Sequence, residues 1–341
     1  MAGLAHEWKP SQYVRGSEWR RWDLHVHTPE TAREDEYTGW APFIAALKAE
    51  KNVRVIGVTD YLSVDNYAKL LAVKASEGLG AVELLVPNIE FRVAPQTKKG
   101  SAINLHVIVD PADSSHIDFI NIALSRLTIR YKDQPYSCTA QQLRALGAAY
   151  KPTLTTDRSK LEEGVNQFKI DFSTFHGWFK KEDWLLRNSL IAISAGEDGP
   201  SGLKDDGWAA VREELWRFAQ IVFSGNPQNR EFWLANEHSM EADAIKLGAP
   251  KPCVHGSDAH GLRTRPALLR SATRPASFPG RLIMSKASRS KRHGRMEKAR
   301  RRPLENQRAA AGLSGICHKA LSNVYVQKTT KERTSRPKSS R

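Results

Sequence analysis

The sequence predicts an α/β fold in which strands and helices alternate to form a barrel. Short runs rich in β-branched residues alternate with stretches whose apolar residues recur at helical spacing. Seven runs are predicted as strands: Trp22–His27, Val53–Thr59, Val82–Pro87, Ile103–Val109, Leu190–Ser194, Ile221–Ser224 and Cys253–His255. Helices are predicted at Trp40–Lys51 and Asp65–Glu77. A parallel arrangement would bring the carboxyl ends of the strands, and any functional side chains there, to one rim.

The stretch from Pro111 to Asn188 is too long for a single crossover between two strands. We expect inserted helices in it, together with a polar loop around Thr153–Gly164. The predicted organisation is therefore one domain over residues 1–262 with an insertion at about 111–188, followed by a separate segment at 263–341.

The positive charge of the chain belongs to its C-terminal segment. The net charge is +15, but residues 263–341 carry 22 Lys and Arg against three acids, whereas residues 1–262 carry 30 basic and 34 acidic residues. The segment contains no Asp and is rich in Arg, Ser and Pro, which predicts a disordered basic tail. It is interpreted as a frameshifted or otherwise non-native end, or as a genuine basic arm that contacts nucleic-acid phosphates. The body, at −4, has no global electrostatic footprint for DNA or RNA.

Cysteine content and hydropathy favour a soluble cytoplasmic protein. Cys138, Cys253 and Cys317 are too few and too widely spaced for a disulfide framework or a CxxC metal site. The N-terminal residues lack an apolar signal-peptide core, and no apolar run approaches the ~18 residues that span a bilayer.

Two histidine-containing pairs indicate a metal site. His25 and His27 lie at the end of the first predicted strand, and residues two apart on a strand point to the same face. Asp258 and His260 follow the last predicted strand with the same spacing. Imidazole nitrogens suit Zn, Mn and Fe, so the pairs predict a divalent metal ion of this type.

Further polar residues stand at the ends of other predicted strands. Asp60 ends the second strand, Glu90 follows the third, and His106 lies in the fourth. Each alone is explained as a helix cap, a surface carboxylate or a core histidine. Their common position at strand ends favours one shared site.

Several other side chains are candidates for a place near this site. The loop acids Glu34, Asp35 and Glu36 are candidate ligands or a solvated charge run. Arg92 and Arg230 are candidate phosphate-binding groups, because a guanidinium binds phosphate through two parallel hydrogen bonds. His255 is either a group supporting the ligands or a packed strand histidine.

The strings DLHVHT, VTD, NLHV and GSDAH, with Glu90 after the third strand, resemble the ordered motifs of the PHP (polymerase and histidinol phosphatase) superfamily. The resemblance covers about Ser17 to Gly261. It implies a distorted seven-stranded β/α barrel whose metal ions activate water to cleave phosphate esters. The longer strings GSEWRRWDLHVHTP, VIGVTDYLSVDNY and PCVHGSDAHG are similar to the PHP module at the front of bacterial proteins that carry an AAA-like ATPase. Such proteins are linked to DNA repair-like or anti-phage functions.

The resemblance also implies roles for individual residues. The implied metal ligands are His25, His27, Asp60, Glu90, His106, Asp258 and His260. Asp60, His106 and His260 are in addition the implied catalytic groups. Tyr61 and Ser194 stand where the superfamily pattern has histidine ligands, which argues for two metal ions (Mn, Zn or Fe) and against a third.

Three functional interpretations follow. The first is a metal-dependent phosphoesterase acting on a nucleic acid or nucleotide. The second is a degenerate PHP module that serves a partner ATPase structurally, since the chain has no GxxxxGK[ST] phosphate-binding loop of its own and two expected ligands are replaced. The third is an amidohydrolase-like deaminase, which also begins with an HxH pair but fits Glu90 and the Asp258–His260 ending poorly.

Overall fold

A curled sheet forms the centre of the fold in the computed structural model, which describes residues 21–204, 206–234, 246–248 and 250–262. The predicted tail at 263–341 and the first residues of the PHP-like strings lie outside the described residues. The strands are β1 (Arg21–His27), β2 (Val53–Tyr61), β3 (Leu84–Ala94), β4 (Ile103–Val109), β5 (Thr128–Tyr131), β6 (Gln134–Ser137), β7 (Ile170–Asp171), β8 (Ser189–Ser194), β9 (Ile221–Phe223) and β10 (Cys253–Val254). All seven predicted strands are confirmed.

The strand order is β1-β2-β3-β4-β8-β9-β10, with the two-residue β7 beside β3. The expectation of parallel strands throughout is wrong at β4, which runs antiparallel to both β3 and β8. The connection Pro95–Ala102 is too short for the crossover that a parallel pair requires, so the chain turns back as a hairpin.

Nine α-helices surround the sheet in the described part of the chain. They are α1 (Trp40–Ala49), α2 (Asp65–Glu77), α3 (His116–Arg126), α4 (Ala140–Tyr150), α5 (Asp157–Gln167), α6 (Phe172–Phe179), α7 (Asp183–Asn188), α8 (Ala209–Phe218) and α9 (Pro227–Leu234). None of the helices in the described ranges is both long and apolar enough to cross a membrane.

The insertion contains α3 to α7 and the β5–β6 hairpin, which confirms the prediction of helices there. The predicted polar loop around Thr153–Gly164 is wrong from Asp157 onwards, because α5 begins at that residue. The Thr156 hydroxyl accepts a hydrogen bond from the Ser159 amide and so caps the helix. Gly164 lies against the Leu143 backbone, where a Cβ would be 1.8 Å from the carbonyl oxygen. α5 is thus stabilised by close packing on α4, which its polar sequence does not reveal.

The interior of the curled sheet is a small apolar cluster formed by one face of β1 to β4 and β8 to β10. Its members are Leu24, Val55, Leu84, Val86, Ile108, Leu190, Ala192, Ile221, Phe223 and Val254. A larger cluster on the other face packs the helices against the sheet. After β10, a single backbone bridge joins Ala259 to Val26. No ladder of described residues closes the sheet between β10 and β1, so its form is a curled half-barrel.

Candidate metal centre

β1 places two imidazoles at the end of the interior apolar cluster. Its pairing with β2 is irregular between Asp23 and Val26, and both Leu24 and His25 face the interior. The His25 ring contacts Phe223 of that cluster, with centroids 5.5 Å apart. His27 follows two residues later on the same face and is fully buried.

The structure brings His25, His27, Glu90 and Asp258 together. Nε2 of His25 lies 3.3 Å from Nε2 of His27, 3.3 Å from Oε2 of Glu90 and 3.0 Å from Oδ1 of Asp258. Nε2 of His27 lies 3.3 Å from the same Glu90 oxygen and 3.5 Å from the same Asp258 oxygen. The four residues come from β1, β3 and the loop after β10, so the sheet rather than local sequence assembles the group.

These separations fit ligands of a shared divalent cation. Donor atoms at ~2.0–2.2 Å from one ion are spaced by ~3–3.5 Å, which is the spacing found between the four side chains. Both oxygens of the buried Glu90 lack a partner of hydrogen-bond geometry among the described residues, although Oε2 is 3.3 Å from each histidine. A buried carboxylate without hydrogen bonds is costly, and a cation would compensate it. Nitrogen and carboxylate donors together suit Zn, Mn or Fe.

The loop that presents Asp258 is held directly against β1. The Asp258 amide donates to the His25 carbonyl at 2.9 Å, and the Ser257 amide donates to Asp23 at 3.0 Å. A Cβ on Gly256 would lie 2.3 Å from Cβ of His25, so only glycine fits there. Asp258 itself has a positive φ of 52°, a conformation that Asp tolerates better than most residues. Gly256 and Asp23 are therefore part of the scaffold of the site.

His106 joins the site from β4. Its ring centroid is 4.5 Å from that of His25, and possible ligand atoms of His25, Glu90 and His106 lie within 4.8 Å of one another. Nε2 of His106 is buried and has no hydrogen-bond partner among the described residues. Nδ1 of the same ring faces Oδ1 of Asn88 at 3.2 Å.

Asn88 is the main residue that sequence reasoning missed. Its Nδ2 donates to the Leu24 carbonyl at 2.8 Å and to the Thr59 hydroxyl at 3.0 Å, which turns Oδ1 toward His106. Oδ1 accepts from Nδ1–H of His106, leaving Nε2 of that ring with a free lone pair for a ligand. The signal was available, because Asn88 is two residues before Glu90 on one strand and shares its face.

His260 lies at the edge of the cluster. Its ring stacks on His27 with centroids 3.9 Å apart, and its Nε2 is 3.3 Å from Oδ1 of Asp258. The predicted pair Asp258 and His260 therefore does converge with the first pair, and the bridge at Ala259 holds it against β1.

Close packing of acids and imidazoles perturbs their protonation. Burial disfavours a charged His25, but the Asp258 and Glu90 carboxylates outweigh burial and raise the pKa of His25 to about 10. Burial opposes ionisation of Glu90, yet His25 and His27 hold its pKa well below the usual range. Burial and the neighbouring His25 lower the pKa of His106 to about 3. In the metal-free protein a proton on His25 thus supplies the positive charge that the acids need.

The structure does not bring Asp60 to this cluster. Its carboxylate accepts hydrogen bonds from the Asn66 amide at 3.1 Å and from Nδ2 of Asn66 at 3.2 Å. It lines a cavity of about 700 Å³ on the helical side, together with Leu62, Leu143 and Arg158. Because Tyr61 faces the cluster, strand alternation turns Asp60 to the opposite face. Burial raises the pKa of Asp60 to about 7.

Tyr61 and Ser194 occupy the positions where histidines were expected. The Tyr61 ring stacks on His27 with centroids 4.9 Å apart and is almost fully buried. The Ser194 hydroxyl donates to Asp198 at 2.7 Å. The Tyr61 ring therefore borders the cluster, whereas the Ser194 hydroxyl is engaged with Asp198.

Among the loop acids, Asp35 accepts hydrogen bonds from the amides of Glu30 and Tyr37 and so organises its own loop. The Glu36 amide donates to the His260 carbonyl at 2.9 Å, which ties this loop to the segment after β10. The Glu34 side chain is mostly exposed. The Asp35 side chain and the Glu36 backbone thus hold the loop in place.

The two predicted phosphate-binding arginines differ in position. Nη1 of Arg92 lies 4.0 Å from Oε1 of Glu90, at the border of the cluster. Arg230 is in α9; partial burial raises the pKa of the Cys253 thiol, and the positive charge of Arg230 opposes this. His255 is half-buried beside Gly225, and burial lowers its pKa.

The chain matches no protein-family model, and no curated protein matches it. The structure supports groups of His, Asp and Glu that could hold a metal ion.

Proposed function

We propose that this chain is a divalent-metal-dependent phosphoesterase with a distorted β/α barrel of the PHP type. The observation that carries the proposal is the convergence of four side chains from three separate chain segments, with five donor separations of 3.0–3.5 Å. The motif resemblance supplies the reaction class, and a nucleic acid or nucleotide is the proposed substrate. The curled half-barrel and the bridge from Ala259 to Val26 agree with such a barrel.

A bound divalent ion would lower the pKa of water and offset the charge that develops on a phosphate ester during cleavage. The residues of this chain would hold the ion and position the substrate. Glu90 has two buried oxygens available, so it can bridge two ion positions. The Asp258 side chain is 57% exposed and faces the open side of the group, where a substrate would enter. Arg92, at the border, would bind a phosphate oxygen.

The experiment is a metal analysis of the purified protein combined with hydrolysis of bis(p-nitrophenyl) phosphate in Mn, Zn or Fe. The proposal expects at least two metal equivalents per chain and hydrolysis that is lost in His25→Ala and Asp258→Ala. His176→Gln is a matched control, because His176 lies in α6, where its ring stacks on Phe172 and meets the edge of Phe218 in α8. Wild-type protein without bound metal and without hydrolysis would refute the proposal.

The replaced positions favour one other function. Tyr61 stacks on His27, and the Ser194 hydroxyl is bonded to Asp198, where ligands were expected. A degenerate module that binds one ion for stability and supports a partner ATPase has the same geometry. It predicts that one metal equivalent raises the melting temperature while no phosphoester is hydrolysed.

A further inference from the structure

Three cationic side chains approach one another beside the candidate metal centre. They are Arg33 in the loop after β1, Arg92 on β3 and Lys169 immediately before β7. We call this group the cationic triad. Of the three, only Arg92 is a phosphate-binding candidate by sequence, because Arg33 and Lys169 are remote from it along the chain.

Arg33 is fixed above the aromatic edge of the centre. Its Nη1 donates to Oδ1 of Asn166 at 2.8 Å, and its Cζ lies 6.0 Å from the centroid of the Tyr61 ring. Only 23% of its side chain is exposed, and its buried Nε has no hydrogen-bond partner among the described residues. The exposed Glu34 carboxylate approaches Nη2 no closer than 3.9 Å. The charge of this guanidinium is therefore not neutralised by a close carboxylate among the described residues.

Strand pairing places Lys169 beside Arg92. β7 is parallel to β3, with Ile170 opposite Val93 and Asp171 opposite Ala94. The residues one step earlier on the two strands are Lys169 and Arg92, so their backbones are neighbours. Partial burial and the charges of Arg33 and Arg92 lower the pKa of Lys169 to about 8. The exposed Lys169 thus stands opposite Arg92 and is affected by the charges of both arginines.

Among the described residues, the carboxylates nearest to Arg33 and Arg92 lie at 3.9 and 4.0 Å, so this group of positive charges fits an anion of the substrate. Arg92 is nearest the metal ligands, since it approaches Glu90, whereas Arg33 lies beyond Tyr61. The triad therefore extends away from the centre. A single scissile phosphate beside Glu90 would occupy Arg92 and leave Arg33 and Lys169 without an anion.

Resting on the proposed phosphoesterase function, we propose that Arg33 and Lys169, with Arg92, bind a second phosphate group of the substrate next to the ester that is cleaved. The preferred substrate is then a nucleotide chain with a phosphate adjacent to the scissile bond, and not an isolated diester. The contact is one of binding, so it acts on KM rather than on kcat.

The test compares a thymidine dinucleotide with and without a 5′-phosphate as substrates of the metal-loaded protein. The expected KM is at least tenfold lower for the phosphorylated form. Lys169→Gln and Arg33→Gln should remove this preference while leaving hydrolysis of bis(p-nitrophenyl) phosphate unchanged. Lys181→Gln is the charge-matched control, because Lys181 is exposed in the turn after α6. A thymidine trinucleotide without a terminal phosphate distinguishes a neighbouring diester from a terminal phosphate.

Calorimetric binding of the same dinucleotides separates this inference from the proposed function. If nothing is hydrolysed, the phosphoesterase proposal fails, yet tighter binding of the phosphorylated dinucleotide that is lost in Lys169→Gln still supports the triad. Arg33→Lys should restore only part of that preference, because lysine lacks the planar fork. Equal KM and equal affinity for the two dinucleotides in the wild-type protein would overturn the inference. A preference that survives in both glutamine variants would do the same.

Discussion

Oδ1 of Asn88 lies 3.2 Å from Nδ1 of His106, and both side chains are buried. The amide of Asn88 is oriented by its two donated hydrogen bonds, to Leu24 and Thr59. The pair therefore selects the His106 tautomer whose Nε2 faces the cluster without a proton.

Asn88→Ala should weaken metal binding. Loss of the acceptor frees the His106 ring to change tautomer and orientation, and support of this kind typically contributes about 10–100-fold in metal affinity. Metal titration of the chelator-treated variant measures the effect. Asn188→Ala is the control, because Asn188 donates to the Trp184 carbonyl in α7 and not to a ligand. Equal affinity of Asn88→Ala and wild-type protein would show that His106 is not held for metal binding.

Asp60→Asn should leave metal content unchanged and alter the pH dependence of stability. Folded Asp60 retains its proton up to a pKa of about 7, whereas the unfolded chain loses it near 3.8. Between these values the folded state binds more protons, so stability falls as pH rises. The raised pKa of Asp60 corresponds to a change on the order of 4 kcal/mol in the free energy of unfolding across this pH range. The uncharged side chain of Asp60→Asn removes this pH dependence.

Denaturant unfolding at pH 4, 5.5 and 7 gives the free energy of unfolding of wild-type protein and of Asp60→Asn. The difference between the two at each pH measures the contribution of the Asp60 carboxyl. The variant should become relatively more stable as pH rises from 4 to 7. Metal analysis at pH 7 is the second measurement: a loss of bound metal in Asp60→Asn would restore Asp60 as a ligand and contradict its position beside Asn66.

The sequence predicted the parts of the site in which two side chains share a face because they lie two residues apart on a strand. His25 and His27 share a face, and the seven apolar runs are strands in the structure. Asp60 shows the limit of position alone, because a strand-end carboxylate points to either face. The contact of Tyr61 with His27, which only the structure shows, assigns Asp60 to the outer face.

Other features depend on contacts that no local pattern contains. The direction of β4 follows from the length of its connection rather than from its apolar residues. Lys169 stands opposite Arg92 only because β7 pairs with β3, across a separation of more than seventy residues. α5 has a polar sequence, and its packing on α4 is seen only in three dimensions.

Removal of the metal should reverse the sign of the pH dependence that His25 gives to the free energy of unfolding. In chelator, the raised pKa of His25 contributes stability that is fully present below about pH 6.5, the unfolded value, and is lost as pH rises through 10. With metal, ligands must be deprotonated, so the stabilisation by metal increases with pH. Unfolding curves at pH 6, 8 and 10 with and without chelator measure both slopes.

His25→Gln is the reference for this experiment, since it removes the titrating imidazole. The variant should lose the decline of stability between pH 6.5 and 10 in chelator. A wild-type curve in chelator with the same slope as His25→Gln would show that His25 does not form the charged contacts with Asp258 and Glu90.

Gly256→Ala should destabilise the loop that carries Asp258. The added Cβ would lie 2.3 Å from Cβ of His25, so either β1 or the loop must shift. Overpacking of this kind costs about 1–3 kcal/mol, and here the shift also separates Asp258 from His25. Thermal unfolding and metal titration should therefore both report a loss.

Gly177→Ala is the matched control, because a Cβ there meets nothing within 4 Å and the residue lies inside α6. That substitution should stabilise the protein by about 0.5–1 kcal/mol, since alanine favours a helix over glycine, and should leave metal affinity unchanged. If Gly256→Ala bound metal as tightly as Gly177→Ala, the close contact between the loop and His25 would not position Asp258, and the proposed centre would lose the constraint that joins β1 to the segment after β10.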